Sequence, residues 1–110
     1  LHGAEAKYHI YRFMLERGEY EKLEKRILSD VNSLSAYGTW MGKSFIILGE
    51  VYAKLDNFDQ SKATLQSVID NAEEGEIVEE ARLKLEEVNA WERLKNQPVN
   101  NAFQFDLNGN

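Results

Sequence analysis

Two histidines, His2 and His9, stand with Glu5 between them near the start of the chain. This is the first place where residue types and spacing could do chemistry. On one helix they would lie about two turns apart, whereas two metal ligands on a helix are expected about one turn apart. A surface role outweighs a metal site, and no metal or cofactor is expected. Six acids, Asp70, Glu73, Glu74, Glu76, Glu79 and Glu80, form a run with no basic residue inside it. They could attract a cation or a basic partner. More commonly, an acidic break before a helix favours that helix's N-terminus through its dipole. Asp106-Leu107-Asn108-Gly109-Asn110 has the opening of a calcium loop but lacks the later ligands, the distant Glu included, so the calcium reading is set aside. Trp40, Trp91 and Tyr37 could form a binding cluster, although aromatics at such positions more often pack cores. No Ser-His-Asp or Cys-His set is present, and the glycines are scattered rather than grouped as a phosphate loop. Dispersed carboxylates do not define an acid–base pair. The chain is expected not to be an enzyme.

Composition bounds what these residues can be mounted on. At 110 residues there is room for one domain, and 43% apolar content suffices for a core. One proline and seven glycines leave long stretches free of helix breakers. Cysteine is absent, which removes disulfides, thiolate nucleophiles and zinc–thiolate sites. Nineteen acids against thirteen bases give a net charge of −6, unsuited to tracking a phosphate backbone, so no nucleic-acid partner is expected. No apolar run approaches the ~20 residues that cross a bilayer, and no segment reads as a signal peptide; this segment is not expected to insert into a membrane. Leu1 in place of Met suggests a piece of a longer protein.

The spacing of apolar residues predicts five helices. The first runs from about 4 to 17, with Tyr8, Ile10, Tyr11, Met14 and Leu15 along one broad face. Gly18 stops it. The second spans about 20–31 on Leu23, Ile27, Leu28 and Val31. Residues 32–40, NSLSAYGTW, read as a loop whose Leu34, Tyr37 and Trp40 pack back on the helices. A third helix spans about 41–55, with Phe45, Leu48, Val51, Tyr52 and Leu55 inward. A fourth, about 58–71, buries Phe58, Ala63, Leu65, Val68 and Ile69. A fifth, about 76–95, carries Ile77, Val78, Ala81, Leu85, Val88 and Trp91 on its main stripe. On its other side Leu83, Ala90 and Leu94 form a weaker stripe. Residues 97–110 are a tail, flexible or docked in extended form, in which Phe103, Phe105 and Leu107 alternate with polar residues and offer a possible secondary contact.

The turns Gly18-Glu19-Tyr20 and Asp56-Asn57-Phe58 match at a distance of 38 residues, the signature of stacked helical units. On these residues the chain resembles the tetratricopeptide repeat family, whose helix-pair unit is about 34 residues long. The second unit is the better match: Phe45, Leu48-Gly49, Tyr52, Asp56-Asn57-Phe58, a small residue at Ser61 and Leu65 inward. Gly49 would let the two helices approach closely. In the first unit Ile10, Met14, Gly18-Glu19-Tyr20, Leu23 and Ile27 fit, but Tyr11 stands where the close-approach glycine should be. Asp30 occupies a position usually small and buried. A wider helix pair or shifted contact is expected there. Val78, Ala81 and Leu85 align with the first helix of a third, incomplete unit.

The resemblance implies an all-α fold: antiparallel helix pairs stacked as a short right-handed solenoid, about two repeats plus a terminal helix. Residues 1–96 would form one domain, with repeat one about 4–31, repeat two about 41–71 and the terminal helix about 76–95. It also implies ligand binding on the concave face built by the first helix of each pair. Those positions carry Glu5, Tyr8, His9, Arg12 and Glu16 in the first unit, and Lys43, Ile46, Ile47, Glu50 and Lys54 in the second. The expected groove residues are Tyr8, His9, Arg12, Lys43, Ile47, Glu50 and Lys54. Glu50 argues against a strongly basic groove for a terminal carboxylate. The expected function is a non-catalytic scaffold or adaptor that binds a peptide or protein segment. The alternative is a structural or self-associating segment of a longer repeat protein, with Tyr11 a contact on an unfinished N-terminal face. The loop and last helix are similar to C-terminal portions of large bacterial repeat proteins of the cell envelope; the compartment stays open between envelope and cytoplasm.

Overall fold

The computed structural model describes residues 2–34, 38–73 and 75–97. They form α1 (His2–Glu16), α2 (Tyr20–Leu34), α3 (Gly38–Lys54), α4 (Phe58–Asn71) and α5 (Gly75–Asn96). Among the described residues there is no strand. The tail residues Phe103, Phe105 and Leu107 lie outside them, as does Tyr37.

The matched turns share one hydrogen-bond scheme. Gly18 (φ 75°) donates to the Leu15 carbonyl at 3.0 Å, and Glu19 donates to that of Met14 at 3.1 Å. Thirty-eight residues on, Asp56 (φ 64°) donates to Ala53 at 3.0 Å and Asn57 to Tyr52 at 2.8 Å. In each case one left-handed residue ties off the last helical carbonyls. Glycine takes that conformation freely, while aspartate does so at some cost.

The 32–40 loop is corrected. Residues 32–34 belong to α2 and 38–40 to α3. Leu34 extends the buried stripe of Leu23 and Ile27 and is itself fully buried, while Asn32 and Ser33 face outward. Burying one leucine is worth about 1.5–3 kcal/mol, more than the weak turn preference of its neighbours.

Helix α3 touches all four other helices. α1 and α5 lie on either side of it; α2 packs on α1 and α3, and α4 packs on α3 and α5. Two apolar clusters result. Leu48, Val51 and Tyr52 of α3 join Tyr11, Leu23, Ile27 and Leu34. Ile46 and Ala53 join Leu65, Val68, Ile77, Ala81 and Val88. Gly49 marks the closest approach: a Cβ there would sit 2.6 Å from Leu65 Cγ, and the Ser61 hydroxyl donates to the Gly49 carbonyl at 2.6 Å.

The pair α1–α2 has the sparsest contact of any touching pair. Its two departures from the repeat pattern answer each other, because the Tyr11 hydroxyl donates to Asp30 Oδ2 at 2.6 Å. Lys7 and Arg26 also approach that carboxylate, at 3.4 and 3.7 Å. Burial first, then the Asp30 hydrogen bond, raises the Tyr11 phenol above its ordinary range. Tyr11 is 0% exposed, so its expected place on an open N-terminal face is corrected. Ile10 (40% exposed), Leu28 and Ala63 also face outward rather than inward. Helical spacing defined broad stripes, but the neighbouring helices cover only part of each.

Candidate functional site

Helix α3 presents its Ile46–Ile47–Glu50–Lys54 side between α1 and α5, and a cleft of about 360 Å³ opens there. Ile46 and Ile47 are nearly buried and form its apolar base. Tyr8, Arg12 and Glu16 come from α1, one helical turn apart, and Glu80 and Lys84 from α5. The cleft therefore unites Tyr8, Arg12, Ile47, Glu50 and Lys54 of the seven expected groove residues.

Lys43 and His9 are not among its lining residues. Lys43 lies 5.9 Å from the centre of the Tyr8 ring and pairs with Glu80 at 3.6 Å, bridging α3 to α5 beside the cleft. His9 is exposed, its ring 5.6 Å from that of Tyr8 and its Nε2 3.7 Å from Glu5. Its side chain points away from the cleft because it sits one position further round α1 than Tyr8. No group of three His, Asp or Glu residues suited to a metal occurs among the described residues.

The charges are largely paired within the site. Lys84 Nζ lies 2.8 Å from Glu50 and 2.6 Å from Glu87. Partial burial alone would lower the Lys84 pKa, but the two carboxylates outweigh it and raise the value. Arg12 donates to the Tyr8 hydroxyl at 3.3 Å and lies 3.9 Å from Glu16. Lys54 sits over the Trp91 ring at 4.6 Å, with Lys84 5.8 Å from the same ring. A cation on an indole face keeps its donors open to a ligand. The cleft thus combines an apolar base and aromatic sides with two outward cations, Arg12 and Lys54.

Glu80 and Lys84 line the cleft but were not identified as groove residues from the sequence. A signal existed: Lys84 follows Glu50 by 34 positions, and Glu80 follows Ile46 by the same step. A step of about 34 residues is the usual period of tetratricopeptide repeats, whereas the 38-residue step between the matched turns pointed elsewhere. The proposed aromatic cluster is not assembled from the tryptophans, since Trp40 packs on Tyr8 in the first apolar cluster and Trp91 packs on the second. Of the acidic run, Glu80 is engaged by Lys43, and Asp70 accepts from Gln66 at 2.9 Å; Glu74 lies outside the described residues.

A second cavity, about 480 Å³ and mainly apolar, lies between α3, α4 and the start of α5 around Met41, Phe45, Val68 and Ile77. Compared with protein-family models, curated proteins and solved structures, the chain matches none of them. No helix among the described residues is long and apolar enough to cross a membrane.

Proposed function

We propose that this chain is a short right-handed solenoid of tetratricopeptide-like helix pairs, and that it is a non-catalytic module binding a peptide or protein segment in the α1–α3–α5 cleft. The observation that carries this reading is the composition of that cleft. Three helices, α1, α3 and α5, contribute to one cleft, with apolar side chains at its base and two cations at its opening: Lys54 over the Trp91 ring, and Arg12 beside Tyr8 and Glu16. Apolar pockets supply affinity to an extended or helical segment, and charges set its direction. The pairing of Glu50 with Lys84 supports the same use, because the carboxylate is neutralised in place and does not repel an acidic ligand. Two units and a terminal helix suit an adaptor that works within a larger assembly.

The test is a peptide-display selection against the chain, followed by calorimetry of the selected peptides on the chain and on its Arg12→Glu/Lys54→Glu variant. Peptides that bind the cleft are expected to lose at least about tenfold in affinity on the variant, equivalent to about 1.4 kcal/mol. Undiminished binding by a variant that folds normally would remove the cleft from the function.

A further inference from the structure

Helix α5 carries an apolar stripe on the side turned away from the core. Among the described residues it packs only on α3 and α4, through Ile77, Ala81 and Val88. On its outward side Leu83 and Leu94 are 57% and 62% exposed, with Ala90, partly buried, between them. Spacings of seven and four residues put these three on one line along the helix. Near the end of α5 that line runs into an open recess bordered by Ala90, Arg93, Leu94 and Gln97. Two leucines left in water forgo the burial that holds the opposite side of the same helix in place.

The chain itself holds an occupant that fits. α5 ends at Asn96, and residues 98–110 follow, outside the described residues. In that segment Phe103, Phe105 and Leu107 alternate with Gln104 and Asp106, so an extended backbone gathers the three apolar side chains on one side. Pro98, Asn100 and Asn101 stand between α5 and Phe103 and are residue types suited to reversing a chain. The spacings correspond as well. At 1.5 Å per residue, Leu94 is about 6 Å along the helix from Ala90 and about 16 Å from Leu83. In extended form Phe103 is about 7 Å from Phe105 and about 13 Å from Leu107.

We infer that residues 103–107 lie in extended form along the outward side of α5 and antiparallel to it, with Phe103 at Leu94, Phe105 at Ala90 and Leu107 near Leu83. Ala90 is the small residue of the stripe and leaves room for a ring between the two leucines. Charge agrees with this occupant. The stripe is bordered by Glu79 and Glu86, both exposed, and by Glu87, which Lys84 holds at 2.6 Å. The segment's one charged side chain, Asp106, falls on the opposite side of the alternation and so is kept away from those acids. The size of the stripe favours a tethered occupant over a free second copy. A stable interface between separate chains needs about 800 Å² per partner, more than two leucines and an alanine provide. A short covalent tether supplies an effective concentration in the millimolar range and makes a small contact sufficient. The inference is independent of what the cleft binds.

The experiment is photo-crosslinking in the whole chain, with a benzophenone amino acid replacing Leu83. That position is exposed, so the replacement removes no core residue. It also lies about 20 Å along the helix from the end of α5, farther than loose tethering alone would hold the segment. The expected result is a monomer-sized adduct, mapped by mass spectrometry to Phe105, Asp106 or Leu107, with a yield unchanged over about a hundredfold dilution, as an intramolecular contact requires. The adduct should be lost in a Phe103→Ser/Phe105→Ser/Leu107→Ser variant and kept in a Gln104→Ser/Asp106→Ser variant, which alters only the other side of the segment. An adduct to a second copy or to another part of the chain, no adduct, one that survives the triple replacement, or one lost in the double replacement would overturn the inference.

Discussion

Replacing Gly49 by alanine adds one methyl group where α3 and α4 approach closely. That carbon would lie 2.6 Å from Leu65 Cγ, 2.7 Å from Cδ2 and 3.2 Å from Cδ1, against about 3.5–4.0 Å for a relaxed carbon contact. Leu65 is fully buried, so its branch point has no solvent to retreat into. The backbone cannot open freely either, because Ser61 is bonded to the Gly49 carbonyl across the same contact. Alanine in mid-helix gains about 1 kcal/mol over glycine in propensity. Overpacking of this kind costs about 1–3 kcal/mol. A net loss of about 1 kcal/mol is expected for Gly49→Ala, and of about 2 kcal/mol or more for Gly49→Leu. Urea unfolding followed by circular dichroism would read both. The double-mutant cycle with Leu65→Ala carries the decisive information. Leu65→Ala alone should cost about 2–5 kcal/mol through its cavity, and the new methyl would then fill part of that space. A favourable coupling of about 1 kcal/mol or more is expected. A Gly49→Ala chain as stable as the original, with strict additivity in the cycle, would refute the close approach of α3 and α4.

Two further outcomes follow from the first unit and from the second turn. Tyr11→Phe should cost about 1.5–3 kcal/mol near neutral pH, the worth of a hydrogen bond to a charged partner. Since the folded Tyr11 pKa is raised above its unfolded value near 10, its stabilising contribution is complete below about pH 10 and is lost as pH rises through the folded value. The stability difference between the original chain and Tyr11→Phe should accordingly shrink above about pH 10; a constant difference in unfolding titrations would count against the Tyr11–Asp30 bond. Asp56→Gly should raise stability by up to about 1 kcal/mol, because it relieves a left-handed aspartate at the loss of one exposed pair with Lys95. A lower melting temperature for that variant would show that the pair outweighs the backbone conformation.

The Tyr11–Asp30 contact also shows how far local pattern reaches. Read singly, each residue was a defect in a repeat: one too large for a close approach, the other too polar for a buried slot. They become a matched pair only when α2 folds back on α1, because they lie 19 positions apart and no helical period connects them. The expected groove divides in the same manner. Tyr8 and Arg12 share a helix face by their four-residue spacing alone. Their meeting with Glu50, Lys54 and Lys84 depends on how α1 and α5 settle on either side of α3.

What the sequence by itself determined was the local and periodic part of this protein: among the described residues, five helices in order and matching turns at 18 and 56. Those features depend on backbone geometry and on side-chain spacing within about two turns, which neighbouring residues specify directly. Only the tertiary structure decided which side of each helix is covered. It drew Leu34 into α2, turned Ile10 and Leu28 outward, buried Tyr11 and joined Lys84 to Glu50. The physical reason is that burial and charge pairing are properties of helices in contact, and an apolar stripe broader than its neighbour leaves some of its residues in water whatever their type.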